Sequence, residues 1–198
     1  TGMAVYPGDE TMPAIRRLAE HGPASHQSSA FEMGCHAGTH IDLPLHFRAG
    51  EPSLEDYPLE RCVGRGMVVD APRGIIGPSV LEGIDLADID FVVFRTGWEE
   101  GWGTPTYYAD WPFLSPDTAQ VLAGADLKGV GLDTPSIDNA VEPVSHGILA
   151  EAGLINIENM ANLAALPDGP FTLLVMPLKL DGAEASPVRA AALIEGVV

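Results

Sequence analysis

The residues best suited to chemistry lie in one stretch, from His36 to His46, which holds three of the six histidines and one aspartate. Chemically active and turn-forming residues occupy its even positions. They are His36, Gly38, His40, Asp42, Pro44 and His46. Because successive side chains of an extended chain point to opposite faces, this spacing predicts a strand with a ligand face backed by an apolar face. Imidazole and carboxylate are ligands of Zn²⁺ and Mn²⁺, so the stretch predicts a divalent metal site.

The spacing also sets which of these residues can share an ion. His40 and Asp42 would lie about 6.6 Å apart in an extended strand, at ~3.3 Å per residue, so both can reach one metal. His36 would lie about 13 Å from His40 by the same count, and we therefore expect the chain to bend at Gly38, where no Cβ opposes a turn. The alternative is an ordinary strand whose histidines face solvent or core. The density of the cluster favours the metal site.

The stretch resembles the HxGTHxDxPxH signature of the cyclase family of metal-dependent hydrolases, which includes kynurenine formamidases and isatin hydrolases. Every fixed position of the signature is present. The resemblance extends from Tyr6 to about Ala192, since Gly131–Asp138 is similar to the family's GxDxxSxD segment and Ser186–Ala190 to its closing SPxRA segment. The resemblance implies that the GxDxxSxD-like segment lies beside the site and braces it, and we assign its residues no metal.

The resemblance implies a role for each candidate residue. His36, His40 and Asp42 would hold one divalent ion, while Asp42, His146 and Glu158 would hold a second ion or complete the first. Zn²⁺ is the expected cofactor, as one or two ions, with Mn²⁺ as the alternative. His46 would be the catalytic general acid–base that moves a proton to the leaving nitrogen. The alternative for His46 is a further metal ligand or an outlying residue.

The implied reaction is hydrolysis of an aromatic amide, in which N-formylkynurenine yields kynurenine and formate. Tyr6 is the expected substrate-binding residue, because formamidases of the family carry a stacking tryptophan there; the alternative is an ordinary half-buried aromatic. Two other functions stay open: a hydrolase that opens a cyclic amide or lactone, and a non-catalytic metal-binding module. Glu158 favours the two-metal formamidase, whereas Tyr6 favours the ring-opening hydrolase.

The elements that must position these residues are readable from turn signals and apolar runs. Buried strands are predicted at Gly66–Asp70 and Phe91–Phe94, a further strand at Val130–Asp133, and helices after the capping residues Ser115 and Ser145. These features indicate a mixture of α and β structure. The resemblance implies an α/β fold, a swivelling β/β/α domain with a mixed central sheet or small barrel and outer helices, as a single domain over residues 1–198.

Composition limits the partners. A formal charge of −18 argues against nucleic acid and against anionic membrane surfaces. No apolar run is long enough to span a bilayer. Two cysteines do not form a disulfide framework, so we expect a cytoplasmic location, with an upstream signal peptide as the alternative because the sequence begins at Thr1. The resemblance implies a homodimer or higher homo-oligomer. The aromatic stretch 98–113 is expected to be a loop that lines the substrate pocket or packs on the core.

Overall fold

The computed structural model describes residues 2–22 and 25–194, which form twelve β-strands and two α-helices. The strands are β1 Ala14–Ala19, β2 Ser28–Glu32, β3 His40–Asp42, β4 Val63–Asp70, β5 Ile75–Ile76, β6 Phe91–Arg95, β7 Phe113–Leu114, β8 Gly129–Leu132, β9 Ile155–Glu158, β10 Phe171–Leu174, β11 Ala185–Pro187 and β12 Ala191–Leu193. The helices are α1 Pro116–Ala123 and α2 Val144–Glu151. Among the described residues, no helix has the length and hydropathy needed to cross a bilayer.

Eight strands form one mixed sheet in the order β11-β3-β9-β8-β6-β4-β10-β12, and this sheet curls into a half-barrel. The four central strands β9, β8, β6 and β4 run parallel, and β3 and β10 flank them in the antiparallel direction. The edge strands β11 and β12 pair antiparallel to β3 and β10. Residues 91–94 of β6 are fully buried, as is typical of a parallel strand covered on both faces. The expected α/β architecture with a mixed central sheet and outer helices is therefore confirmed.

Alternate residues of the central strands divide the core into two layers. Val92 and Phe94 of β6 pack with the helix residues Leu122 and Leu149 on one face of the sheet. Their neighbours Phe91 and Val93 belong to a second apolar cluster that includes Ile41 of β3, Ile157 of β9 and Phe171 of β10. The period of two along a strand thus places β3 and β9 against the same buried layer, which fixes the strands that carry the candidate ligands.

The helix boundaries follow capping chemistry in one case and not in the other. Ser115 caps α1 as predicted, because its Oγ accepts a hydrogen bond from the backbone N–H of Thr118. The prediction that Ser145 caps α2 is wrong. This helix begins at Val144, and Ser145 lies in its first turn with its hydroxyl donating to the carbonyl of Leu114. Gly153 follows the end of α2 with φ 75°, the left-handed conformation that a terminating glycine adopts.

The stretch from His36 to His46 is extended only over β3, so the prediction of a longer strand is wrong at both ends. Gly38 has φ 70°, which confirms the expected bend and turns the chain before β3 begins. After β3, the segment Pro44–His46 forms a single turn of 3₁₀ helix, because the fixed φ of proline suits the start of a helical turn. His36 and His46 therefore approach β3 from turns on either side.

β1 and β2 form a separate antiparallel ribbon, and within the described part of the chain each pairs only with the other. Most residues of the ribbon are exposed, including large apolar side chains such as Leu18 and Phe31. A two-stranded ribbon of this kind buries little apolar surface on its own.

Candidate metal centre

Two neighbouring strands and one helix bring the candidate ligands together. In the pairing of β3 with β9, His40 lies directly opposite Glu158, and Asp42 lies on the same face of β3 as His40. His146 lies in the first turn of α2 and reaches the same point from above the sheet end. The side chains of His40, Asp42, His146 and Glu158 are all buried. Strand register therefore places residues from distant parts of the sequence in one cluster.

The two carboxylates each face two sets of imidazole nitrogens. Asp42 Oδ1 lies 2.9 Å from His36 Nδ1 and 3.4 Å from His40 Nε2, whereas its Oδ2 lies 3.8 Å from His146 Nε2. Glu158 Oε2 lies 3.5 Å from His40 Nε2, whereas its Oε1 lies 3.1 Å from His146 Nε2. The cluster thus has two halves, one with His36 and His40 and the other with His146, and both carboxylates span them.

These separations fit donors arranged around metal ions. Two ligands bound tetrahedrally at about 2.1 Å lie about 3.4 Å apart, and the donor separations of 2.9–3.8 Å bracket that value. Three buried atoms, His40 Nε2 and both carboxylate oxygens of Asp42, form no hydrogen bond with any described residue. Buried polar atoms are rarely left without partners. The donor set therefore suits one or two divalent ions.

Each histidine is held through the nitrogen that points away from the cluster. His40 Nδ1 donates to the Gly38 carbonyl at 2.8 Å, and His146 Nδ1 donates to Asp138 Oδ2 at 2.7 Å. His36 Nε2 donates to Glu184 Oε1 at 2.9 Å. A hydrogen bond on one ring nitrogen fixes the tautomer and leaves the other nitrogen's lone pair for a metal.

The carboxylates dominate the electrostatics of the cluster. Burial alone would lower the pKa of His146, but hydrogen bonds with Asp138 and Glu158 outweigh it and raise that pKa to about 10. Burial likewise opposes the charged form of His36, yet Asp42 and Glu184 raise its pKa to about 9. Burial would raise the pKa of Asp42, but the adjacent His40 and His36 hold it well below its usual range. The cluster therefore stabilises positive charge.

The segment 131–138 braces the cluster through two buried aspartates. Asp138 accepts hydrogen bonds from the backbone N–H groups of Ser145 and His146, both at 2.8 Å, which ties the start of α2 to the His146 ring. Asp133 accepts hydrogen bonds from Thr96 and from the backbone N–H groups of the two residues that follow Thr96. Both aspartates are therefore engaged by protein groups rather than pointed at the metal cluster.

His46 lies beside the cluster and opens toward solvent. Its ring centroid is 4.4 Å from that of His36 and 6.2 Å from that of His146. Its side chain is exposed, in contrast to the buried His40 and His146. Partial desolvation lowers the pKa of His46 from its ordinary 6.5. A neutral imidazole at the edge of the cluster can accept and release a proton near neutral pH.

A pocket of about 380 Å³ opens onto the cluster, within the range of roughly 300–1,000 Å³ found for small-molecule sites. Its floor is formed by the cluster and by His46, and its wall is aromatic. Tyr6 packs edge-on against Tyr108 and Trp111, with ring centroids 5.7 and 6.0 Å away. The aromatic stretch 98–113 thus serves both expected roles, since Tyr108 and Trp111 line this pocket while Tyr107 is buried in the core.

Comparison with known proteins identifies the family. The model of the family described as putative cyclase matches residues 2–139. A kynurenine formamidase of Salinibacter ruber is 33% identical over 94% of this chain and 90% of its own length. The chain belongs to the cyclase family. This finding confirms the resemblance seen in the sequence.

Solved structures agree with the assignment. The structure of a predicted metal-dependent hydrolase from Bacillus stearothermophilus superposes with a TM-score of 0.80 at 31% identity, covering 96% of this chain and 92% of that one. Isatin hydrolase A of Labrenzia aggregata, bound to benzyl benzoate, superposes with a TM-score of 0.82 at 24% identity, covering 96% and 87% of the two chains. The second likeness concerns the fold alone.

The structure brings together all the residues singled out as ligands, with His46 beside them and Tyr6 at the pocket wall. Glu184 is a site residue that the sequence did not reveal. It lies just before the SPxRA-like segment, but nothing in its local pattern distinguishes it from an ordinary exposed glutamate. Its contact with His36 depends on pairing between β11 and β3, which lie far apart in the sequence.

Proposed function

We propose that this member of the cyclase family is an arylformamidase, a metal-dependent hydrolase that converts N-formylkynurenine to kynurenine and formate. The observation that carries the proposal is that Asp42 and Glu158 each present one oxygen to either half of a histidine cluster at the base of an aromatic pocket. The name of the Salinibacter ruber relative, which aligns over nearly its whole length, supports the substrate. Glu158 supports a two-metal site, because an amide at that position would be a weaker ligand.

In the proposed centre His36, His40, Asp42 and Glu158 hold one ion, and Asp42, His146 and Glu158 hold the other. Zn²⁺ is the proposed metal and Mn²⁺ the alternative, since both accept imidazole and carboxylate ligands. Bound divalent ions supply a Lewis acid and a water that is activated near neutral pH. The buried position of Asp42 and Glu158 keeps competing water from these ligands.

His46 performs the proton transfers in this proposal. Its lowered pKa leaves the imidazole neutral at pH 7, so it can take a proton and then deliver it to the nitrogen that leaves with the aryl product. Its place between the His36 ring and the open pocket gives it access to a substrate amide. A metal-binding module without turnover would have no need of such a residue.

Tyr6 is the proposed contact for the aryl ring of the substrate. Its ring forms part of the pocket wall and is supported edge-on by Tyr108 and Trp111. Aromatic rings held in this way offer a face or an edge to a flat ligand.

A second candidate is a hydrolase that opens a cyclic amide or lactone. One observation favours it, because Tyr6 adds a hydroxyl to the pocket where formamidases of the family carry an indole. The hydroxyl could bond a polar group on a compact bicyclic substrate. The same metal centre and the same role for His46 serve both reactions.

Hydrolysis of N-formylkynurenine by the purified, metal-loaded protein tests the proposal directly. We expect rapid turnover in the native protein and its loss in Asp42→Asn, with His26→Ala as a control because His26 is exposed and lies between β1 and β2, outside the cluster. Turnover of isatin in place of N-formylkynurenine would favour ring opening. Bound metal with neither activity would favour the non-catalytic module.

We also propose that two copies of the chain associate through the β1–β2 ribbon. Leu18 and Phe31 are each more than half exposed along it, which leaves apolar surface to be covered. The chain from 14 to 32 carries two arginines and two glutamates, so the entire formal charge of −18 lies on the rest of the molecule. Arg16 and Arg17 form no ion pair with a described residue. A ribbon with free positive charge fits the acidic surface of a second copy.

The proposed compartment remains the cytoplasm. Cys35 and Cys62 are both free thiols, and Cys62 is buried. Free cysteines are common where glutathione keeps thiols reduced. Fractionation of cells with an antibody against the chain would test the location.

A further inference from the structure

We propose that Glu184 is a positioning residue of the metal centre that acts through His36. The proposal rests on the proposed metal-dependent function and adds a residue to it. Glu184 Oε1 accepts a hydrogen bond from His36 Nε2 at 2.9 Å, while the opposite nitrogen of the same ring, Nδ1, lies 2.9 Å from Asp42 Oδ1. The His36 ring is therefore held between a carboxylate outside the cluster and a carboxylate inside it.

The backbone holds Glu184 in register with the ligand strand. β11 begins at the next residue, and Ala185 lies opposite Asp42 in the antiparallel pairing of β11 with β3. The carbonyl of Glu184 also accepts a hydrogen bond from the N–H of Leu43 at 2.9 Å. The position of the Glu184 carboxylate relative to Asp42 is thus fixed by a strand pair rather than by a loop.

His36 needs such an anchor more than the other two histidines. Its side chain is 31% exposed, whereas the side chains of His40 and His146 are 2% and 6% exposed and are confined by packing. A bond from Nε2 to Glu184 fixes the tautomer in which Nδ1 carries a lone pair toward the cluster. Without the bond, the ring could turn away or present a protonated nitrogen to the metal.

Glu184 completes a pattern shared by the three histidines. The outward nitrogens of His40 and His146 bond the Gly38 carbonyl and the Asp138 carboxylate. Partners of this kind orient ligating imidazoles and raise their basicity, and their loss typically costs about 10–100-fold in metal affinity. Glu184 supplies the equivalent bond for the most exposed of the three ligands.

The test is the affinity of the full chain for Zn²⁺, measured by competition with a chromophoric chelator. We expect Glu184→Ala to bind Zn²⁺ about 10–100-fold more weakly than the native protein. The Zn²⁺ affinity of Glu184→Gln should lie between those of the native protein and Glu184→Ala, because its amide oxygen keeps an acceptor for His36 without the charge. Glu60→Gln removes one negative charge at an exposed site outside the cluster and should bind like the native protein.

A second measurement separates positioning from fold stability. The thermal midpoint of each metal-free variant is recorded with excess chelator. We expect Glu184→Gln and Glu60→Gln to have the same thermal midpoint, although Glu184→Gln binds Zn²⁺ more weakly. If the native protein binds Zn²⁺ and both Glu184 variants bind it equally tightly, the positioning role is overturned and the proposed function is not. Failure of the native protein to bind Zn²⁺ would overturn the proposed function together with it.

Discussion

Of the three histidines between residues 36 and 46, His46 is the one that lies beside the metal cluster rather than in it. Its catalytic role can therefore be tested by a single substitution. His46→Ala should lower kcat by about 10²–10⁴-fold, the usual contribution of general acid–base catalysis. Metal content should not change, because the Asp42–Glu158 cluster is intact. The measurements are steady-state kinetics and elemental analysis on the same samples, with His26→Ala as the control.

The pH dependence of kcat gives the same residue a second test. The pKa of His46 lies below its ordinary value of 6.5, so the neutral form predominates at pH 7 and is lost only on further acidification. We expect kcat of the native protein to fall on the acid side below pH 6.5 and this step to disappear in His46→Ala. An unchanged acid limb in the variant would assign the proton transfer to another group.

Cys62 makes a residue-scale prediction about stability. Burial raises the pKa of this thiol from 9.0 to about 11, so folding keeps it protonated where the unfolded chain would ionise it. Its stabilising contribution is complete below pH 9 and is lost as the pH rises through 11. Between pH 8 and 10.5 the native protein should lose on the order of 2 kcal/mol more free energy of unfolding than Cys62→Val. Urea unfolding at the two pH values measures the difference, and equal losses would be inconsistent with the shift.

At the scale of elements, the central strand β8 tolerates no side chain at its first residue. A Cβ on Gly129 would lie 2.6 Å from the backbone oxygen of Ile155 on β9, the strand that carries Glu158. Gly129→Ala should therefore destabilise the protein by about 1–3 kcal/mol through overpacking. Gly147 is the matched control, because it lies in α2, where a Cβ would meet no heavy atom within 4 Å apart from its chain neighbours and the backbone of its own helix. Its change to alanine should raise the free energy of unfolding by about 0.5–1 kcal/mol. Chemical denaturation should show a lower free energy of unfolding for Gly129→Ala and a higher one for Gly147→Ala. A change in the same direction in both variants would contradict the packing.

Local signals predicted the elements whose determinants are local. The Ser115 cap and the proline after it are sufficient for α1, and an apolar run defines β6. Ser145 has the same chemistry as Ser115, but its hydroxyl bonds Leu114 across the fold, which no local pattern reveals. The strand predicted from His36 to His46 fails beyond β3 because Gly38 and Pro44 impose turns that alternation alone does not show.

The residues of the candidate site likewise include some that local spacing predicted and some that it did not. The spacing of His40 and Asp42 predicted that they share a face, and their 3.4 Å separation confirms it. His146 and Glu158 were linked to them by resemblance to the family rather than by spacing. Glu184 was missed by both, because strand pairing between distant segments brings it to His36.

At the scale of the whole molecule, the exposed ribbon predicts the state of association. Phe31→Ser should shift the protein toward the monomer by removing apolar contact area, and Arg16→Glu with Arg17→Glu should do so by adding repulsion from an acidic partner. Leu59→Ser is the matched control, since Leu59 is 54% exposed, as Leu18 is, but lies outside the ribbon. Light scattering after size-exclusion chromatography gives the mass. A native monomer, or variants that keep the native mass, would contradict association through the ribbon.

The metal content of the purified chain is the most direct test of the central claim, that Asp42 and Glu158 unite two halves of a metal centre. Elemental analysis after reconstitution with Zn²⁺ or Mn²⁺ should give close to two ions per chain, and the same sample should hydrolyse N-formylkynurenine. A chain that retains no divalent metal after reconstitution would contradict the claim, whatever its fold.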